Sequence, residues 1–180
     1  YEAMGLDDYK YKLVIHVGGV YSNKNESIKR FCSNFVNLPD RIRKRLIIEN
    51  DDRSYNTYDV LKLCQNIKAP MVLDVHHHNC LSPGIGLEKT LHEIFDTWRG
   101  EAFPPKIHFS SPKNDKNFRN HADNIDCEAF VEFLNIARKI GKNIDVMLEA
   151  KGKDNALLKL SNELVGMPRI QRISNGEFQI

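Results

Sequence analysis

Five short apolar runs in this 180-residue chain end on, or beside, a side chain that can bind a metal or move a proton. They are Leu13-Val-Ile-His16, Leu46-Ile-Ile-Glu49, Met71-Val-Leu-Asp74, Lys106-Ile-His108-Phe109 and Val146-Met-Leu-Glu149. Imidazole nitrogen and carboxylate oxygen together form the donor mixture that Zn2+, Mn2+ or Fe2+ favours. The densest stretch is Asp74-Val-His76-His77-His78, where one or two histidines are expected to bind metal and the others to support them or face solvent, since three neighbours cannot all reach one ion. Within Lys106-Ile-His108 the two-residue period of a strand puts the lysine and the histidine on one face. A lysine inside a fold is costly unless paired or chemically altered, so this placement argues for function.

Other donors are weaker taken singly. His16 is followed at once by Gly18 and Gly19, which let backbone approach a ligand, although a lone strand-end histidine is more often structural. Glu49 continues a buried run, whereas Asn50, Asp51 and Asp52 read as a solvated turn. His121 lies in a loop that could swing over the strand ends, Glu149 is directed inward, and His92 reads as surface. Together the histidines and carboxylates are too many for one ion. They fit two or three divalent ions that activate a water and stabilise the attacking and leaving oxygens in phosphoester cleavage.

The elements that must position these groups repeat a strand-helix scheme. Apolar residues at helical spacing predict helices carrying Ile28, Phe31 and Phe35; Val60, Leu61, Cys64 and Ile67; Leu91, Ile94, Phe95 and Trp98; Phe130, Phe133 and Leu134; and Leu157, Leu160 and Leu164. Asp126 caps the fourth of these, and Pro39 and Asp40 open a short basic helix. Strands about 25 to 40 residues apart with ligand-type residues at their ends are the layout of a TIM-type (β/α) barrel whose site lies on the C-terminal rim. Five units are present where a closed barrel needs eight. Residues 1–180 are therefore expected to be one domain, an incomplete α/β barrel missing about three N-terminal βα units, inactive and prone to self-association by itself. Tyr1 to Gly5 reads as the last turn of a helix closed by glycine, and the segment from Gly166 to Ile180 gives no firm assignment.

Composition adds mild bounds. At 41% hydrophobic and 28% charged the chain can bury one core. Its apolar stretches are too short to span a bilayer and no signal pattern opens it, which places it in the cytoplasm with no membrane partner. Cys32, Cys64, Cys80 and Cys127 form no Cys-x-x-Cys pair and read as buried thiols. The net charge of +2 does not require nucleic acid, so any DNA contact must come from cations local to the rim. Arg53, Lys113, Lys116, Arg119, Lys151 and Lys153 all fall on segments after strands and are the candidate phosphate contacts.

Ile15-His-Val-Gly-Gly-Val-Tyr21, Leu46-Ile-Ile-Glu-Asn-Asp-Asp52, Asp74-Val-His-His77, Pro105-Lys-Ile-His-Phe-Ser-Ser-Pro112, His121-Ala-Asp123 and Met147-Leu-Glu-Ala-Lys151 resemble, in order and spacing, the successive motifs of the UV damage endonucleases. The likeness runs from about residue 4 to about residue 165. It implies metal ligands at His16, Glu49, Asp74, His77, Lys106, His108, His121 and Glu149, with Lys106 carboxylated on its amine and Lys106, His108 and Glu149 at the reacting centre. The donors, carboxylate and imidazole without thiolate, point to two or three divalent ions, Mn2+ ahead of Zn2+ or Mg2+. The substrate the likeness implies is damaged double-stranded DNA, cut by a monomeric full-length protein immediately 5′ of pyrimidine dimers and 6-4 photoproducts, and for some members at abasic sites. The family's N-terminal half, which supplies further histidine ligands and lesion-probing residues, has no counterpart here. Two other readings are another xylose-isomerase-like metal barrel, an apurinic endonuclease or sugar isomerase, and a non-catalytic truncated remnant.

Overall fold

The computed structural model describes residues 1–82 and 84–180. Five strands, β1 (Leu13–His16), β2 (Leu46–Glu49), β3 (Met71–Asp74), β4 (Lys106–Phe109) and β5 (Asp145–Leu148), form one all-parallel sheet in chain order. The connections carry α1 (Lys24–Val36), α2 (Asp40–Arg43), α3 (Thr57–Ile67), α4 (Val75–Cys80), α5 (Leu87–Asp96) and α6 (Cys127–Ala137), and α7 (Lys153–Val165) follows β5. The sheet is open, with β1 and β5 as its edges. Residues Gly166 to Ile180 resolve into an antiparallel hairpin of β6 (Gln171–Ser174) and β7 (Glu177–Gln179). Its strands are mostly exposed, so no buried face imposed an apolar alternation that could be read from sequence.

The helix boundaries follow from local chemistry. Asn56 and Asp59 form a reciprocal capping box at the start of α3, and Asp126 accepts the Ala129 amide at the start of α6. The opening residues form a 3-10 turn, Glu2–Met4, closed by Gly5 in the left-handed conformation.

The period of two sorts the strand residues into two separate layers. Leu46, Ile48, Met71, Leu73, Ile107 and Phe109 face the helices and join Val60, Leu61, Leu91, Ile94, Phe95, Phe130 and Phe133 in the main core. On the other face Ile47, Val72 and Trp98 form a second cluster, and the Trp98 indole donates to the Met71 carbonyl at 2.6 Å. The parallel registers Val14↔Ile47 and His108↔Met147 put Val14 and Met147 on this same face, where both are exposed at the sheet edges. Of the thiols, Cys64 is buried, while Cys32, Cys80 and Cys127 are half-buried.

Arg45 holds the start of the chain against β2. Its guanidinium is buried and donates to the carbonyls of Leu6, Asp7, Asp8 and Tyr11, with the rings of Tyr1 and Tyr9 over it at 5.5 Å each. Four backbone acceptors on one planar fork are a demand that only arginine meets. Arg45→Ala is expected to lower stability by about 3 kcal/mol, and Arg45→Lys to recover less than half of that loss. Urea denaturation midpoints at constant m-value check both.

Candidate metal centre

Inward-facing residues at the carboxyl ends of the strands converge on one spot. Glu49, Asp74, His108 and Glu149 each present a ligand atom, and these four atoms lie within 4.8 Å of one another. The His108 Nδ1 is 3.1 Å from Glu49 Oε1 and 3.1 Å from Glu149 Oε1. Three further histidines stand around this group. His77 Nδ1 is 3.5 Å from Glu49 Oε1 and 3.7 Å from Asp74 Oδ2, His16 Nε2 is 3.6 Å from Glu49 Oε2, and His121 Nδ1 is 3.8 Å from Glu149 Oε2.

Burial and mutual charge govern these groups. Burial pushes the Asp74 carboxyl up to about 6, against the pull of nearby His77. Burial works against protonation of His108 as well, but hydrogen bonds and charge from Glu149 and Glu49 outweigh it and push the imidazole up to about 10. The same bond from His108 lowers Glu149. Asp74 Oδ1 accepts the His77 amide at 2.7 Å, whereas its buried Oδ2 has no hydrogen-bond donor. A buried carboxylate oxygen without a donor, aimed among histidines and two other carboxylates, fits a cation.

The structure brings seven of the eight residues named from the sequence into this cluster. Lys106 is not among them. It shares a face with His108, but its Nζ is bound to Asp145 Oδ2 at 2.9 Å and lies 5.1 Å from the centre of the Phe103 ring. The ion pair with the neighbouring strand is the contact this lysine makes here. Of the adjacent histidines, His77 reaches the cluster. His78 is buried and bonded to Thr57 Oγ1 at 2.8 Å, and His76 is buried against Phe118 and His121, so neither faces solvent. His92 is exposed on α5 beside Asp96.

Asn50, read from sequence as part of a solvated turn, is fully buried and organises the site. Its side chain donates to the Asp74 carbonyl at 3.0 Å and accepts the Asp74 amide at 2.9 Å, extending the β2–β3 ladder where β2 has ended. Its own carbonyl lies 3.0 Å from His77 Nδ1. The signal in the sequence was its place directly after the buried run Leu46 to Glu49. Asp51 is structural, accepting the amides of Arg53, Ser54 and Tyr55. Asn50→Ala is expected to cost about 1–3 kcal/mol for each Asp74 backbone group left unpaired, and Asn50→Asp to fare little better, because it puts a fourth carboxylate beside Glu49, Asp74 and Glu149. Thermal melts of the two variants check this.

Arg53, Lys113, Lys116, Arg119, Lys151 and Lys153 are all exposed on segments that follow strands, at the end of the sheet that carries the cluster. Arg53 and Arg119 both approach Asp52 at 3.5 Å, which ties the loop after β2 to the loop after β4.

A parallel α/β sheet with histidines and carboxylates gathered over the carboxyl ends of its strands defines a class of protein that takes its ligand at that rim. The UV-endonuclease UvdE family matches residues 1–180. The UV DNA damage endonuclease of Bacillus cereus (strain Q1) is 44% identical over 181 residues, covering 99% of this chain and 56% of that protein. That of Bacillus thuringiensis subsp. konkukian (strain 97-27) is 45% identical with the same coverage. The crystal structure of SacUVDE superposes with a TM-score of 0.78 at 34% identity, covering 91% of this chain and 53% of the other. The chain belongs to the UV-endonuclease UvdE family. It spans about half the length of the curated relatives it matches.

Proposed function

We propose that this chain supplies the C-terminal, ligand-bearing part of a metal-dependent DNA repair endonuclease that incises the phosphodiester backbone 5′ of UV photolesions, pyrimidine dimers and 6-4 photoproducts, and at abasic sites. The convergence of Glu49, Asp74, His108 and Glu149, ringed by His16, His77 and His121, is the observation that carries this reading. Family membership and the names of the relatives support it. The open parallel sheet, its exposed edge residues and its likeness to about half of a longer protein support five units of a TIM-type barrel completed by residues beyond this chain. The 180 residues alone are accordingly expected to be inactive.

Seven residues would hold the metal: three carboxylates, Glu49, Asp74 and Glu149, and four imidazoles, His16, His77, His108 and His121. With oxygen and imidazole donors and no thiolate, the set suits two or three Mn2+ ions. When bound, such ions supply an activated water and charge stabilisation at the attacking and leaving oxygens of phosphoester cleavage. Lys106 stays outside this set while its amine is held by Asp145. Asn50 holds the Asp74 backbone through its side-chain amide and the His77 ring through its own backbone carbonyl. The rim cations hold phosphates and fix the path of the duplex, a role that carries no base sequence.

The direct test is nicking by the full-length protein in Mn2+. UV-irradiated plasmid is expected to be cut and untreated plasmid to be spared. Cutting of abasic DNA alone would favour an apurinic endonuclease. Metal binding has its own readout in this chain: Mn2+ at about 100 times its Kd should add about 2.7 kcal/mol of stability. That corresponds to a rise in melting temperature of about 5–10 °C at this size, reversed by EDTA. An unchanged melt across Mn2+, Zn2+ and Mg2+ would count against the metal.

A further inference from the structure

Gly152 sits immediately before α7 with φ −74° and ψ −3°, a conformation open to any residue. The left-handed conformation falls instead on the next residue, Lys153, at φ 50°. A glycine would ordinarily be used at that second position. What Gly152 alone accommodates is close approach: a Cβ built there would lie 2.5 Å from the backbone oxygen of Asp123, a separation real Cβ atoms do not adopt. The approach is held by two backbone bonds, Lys151 N–H to Ala122 O at 2.9 Å and Gly152 N–H to Asp123 O at 2.8 Å. The loop so drawn against the end of β5 carries His121, paired within it to Pro112, and β5 runs directly into Glu149. Their side chains stand 3.8 Å apart, His121 Nδ1 to Glu149 Oε2.

We infer that Gly152 is a positioning residue, whose missing side chain lets the loop carrying His121 close on the end of β5 and so brings His121 to the cluster. The inference rests on the reading of that cluster as a metal site. Any side chain at 152 must part the two backbones by about half an ångström or more to reach an allowed contact. That displacement falls between the loop two residues past His121 and the segment three residues past Glu149, whose side chains face each other at 3.8 Å. Loss of such support to a ligand costs about 10- to 100-fold in metal affinity.

The test compares Gly152→Ala with Gly166→Ala, a glycine after α7 where a Cβ meets only ordinary contact. Two readouts are taken on the full-length protein: Mn2+ affinity by titration calorimetry, and amide hydrogen exchange in peptides covering 119–124 and 149–153. Gly152→Ala is expected to speed exchange in both peptides and to weaken Mn2+ at least tenfold, with Gly166→Ala unchanged in both. Wild-type exchange rates in Gly152→Ala, or wild-type Mn2+ affinity, would overturn the inference. Should the wild-type chain itself bind no Mn2+, the metal reading fails, and the exchange arm still decides whether Gly152 sets the loop. If Gly152→Ala does not fold, Gly152→Ala combined with Asp123→Gly frees the loop to swing away from the new methyl. That double variant is expected to fold and bind Mn2+ weakly, and tight binding by it would overturn the inference.

Discussion

Glu149→Gln and His108→Ala, each placed in the full-length protein, are expected to lower nicking of UV-irradiated plasmid by about 10^3-fold or more. Both residues belong to the group of ligand atoms within 4.8 Å of one another, and they hold each other at 3.1 Å. Glu149→Gln keeps the shape and removes the negative charge, so its effect isolates electrostatics. His108→Ala also releases Glu49, which bonds the same ring nitrogen. Duplex binding should fall far less than cutting, because neither side chain lies among the rim cations. His92→Ala, on the exposed face of α5, should cut as the unaltered protein does. Rates measured at saturating DNA with Mn2+ in excess separate cutting from binding. Full activity in Glu149→Gln would remove the cluster from the reaction.

Replacing Arg53, Lys113, Lys116, Arg119, Lys151 and Lys153 together with glutamine is expected to weaken binding of damaged and undamaged duplex alike, by at least about 10^3-fold near 0.1 M salt. Each lost phosphate contact should also flatten the dependence of log affinity on log salt by about 0.9, or about 5 for all six. Backbone contacts position without reading bases, so the preference for damaged over undamaged DNA should survive. Arg53 and Arg119 share Asp52, and their effects should therefore not add. Fluorescence anisotropy across a salt series reads affinity and slope together. An unchanged slope would route the DNA elsewhere on the surface.

Much of this site was legible before any coordinates. Strand periodicity is a local property, so Ile47 and Val72 turn away from the main core as their parity requires, whereas Trp98, expected on the helix face of Leu91, Ile94 and Phe95, lies past the end of α5 and packs with Ile47 and Val72 instead. Caps are local as well, and Asp126 stands where its side chain predicts. The order of the motifs, which needs only the sequence, placed the chain in its family.

Contacts between strands far apart in the chain were decided by register and stagger, which no local pattern encodes. Lys106 shares the face of His108, as the period requires, but the β4–β5 register sets Asp145 directly beside it, and the nearest carboxylate takes the amine. His76, His77 and His78 are equivalent as letters. The single turn of α4 aims His77 at the cluster, while His78 meets Thr57 and His76 meets the loop after β4. Asn50 reads as a turn residue until β3 lies alongside it, when its amide becomes the continuation of a sheet. What the sequence alone determined is which side chains face inward and what chemistry they offer. The tertiary structure alone decided which of them meet, because meeting depends on how far one strand slides past the next.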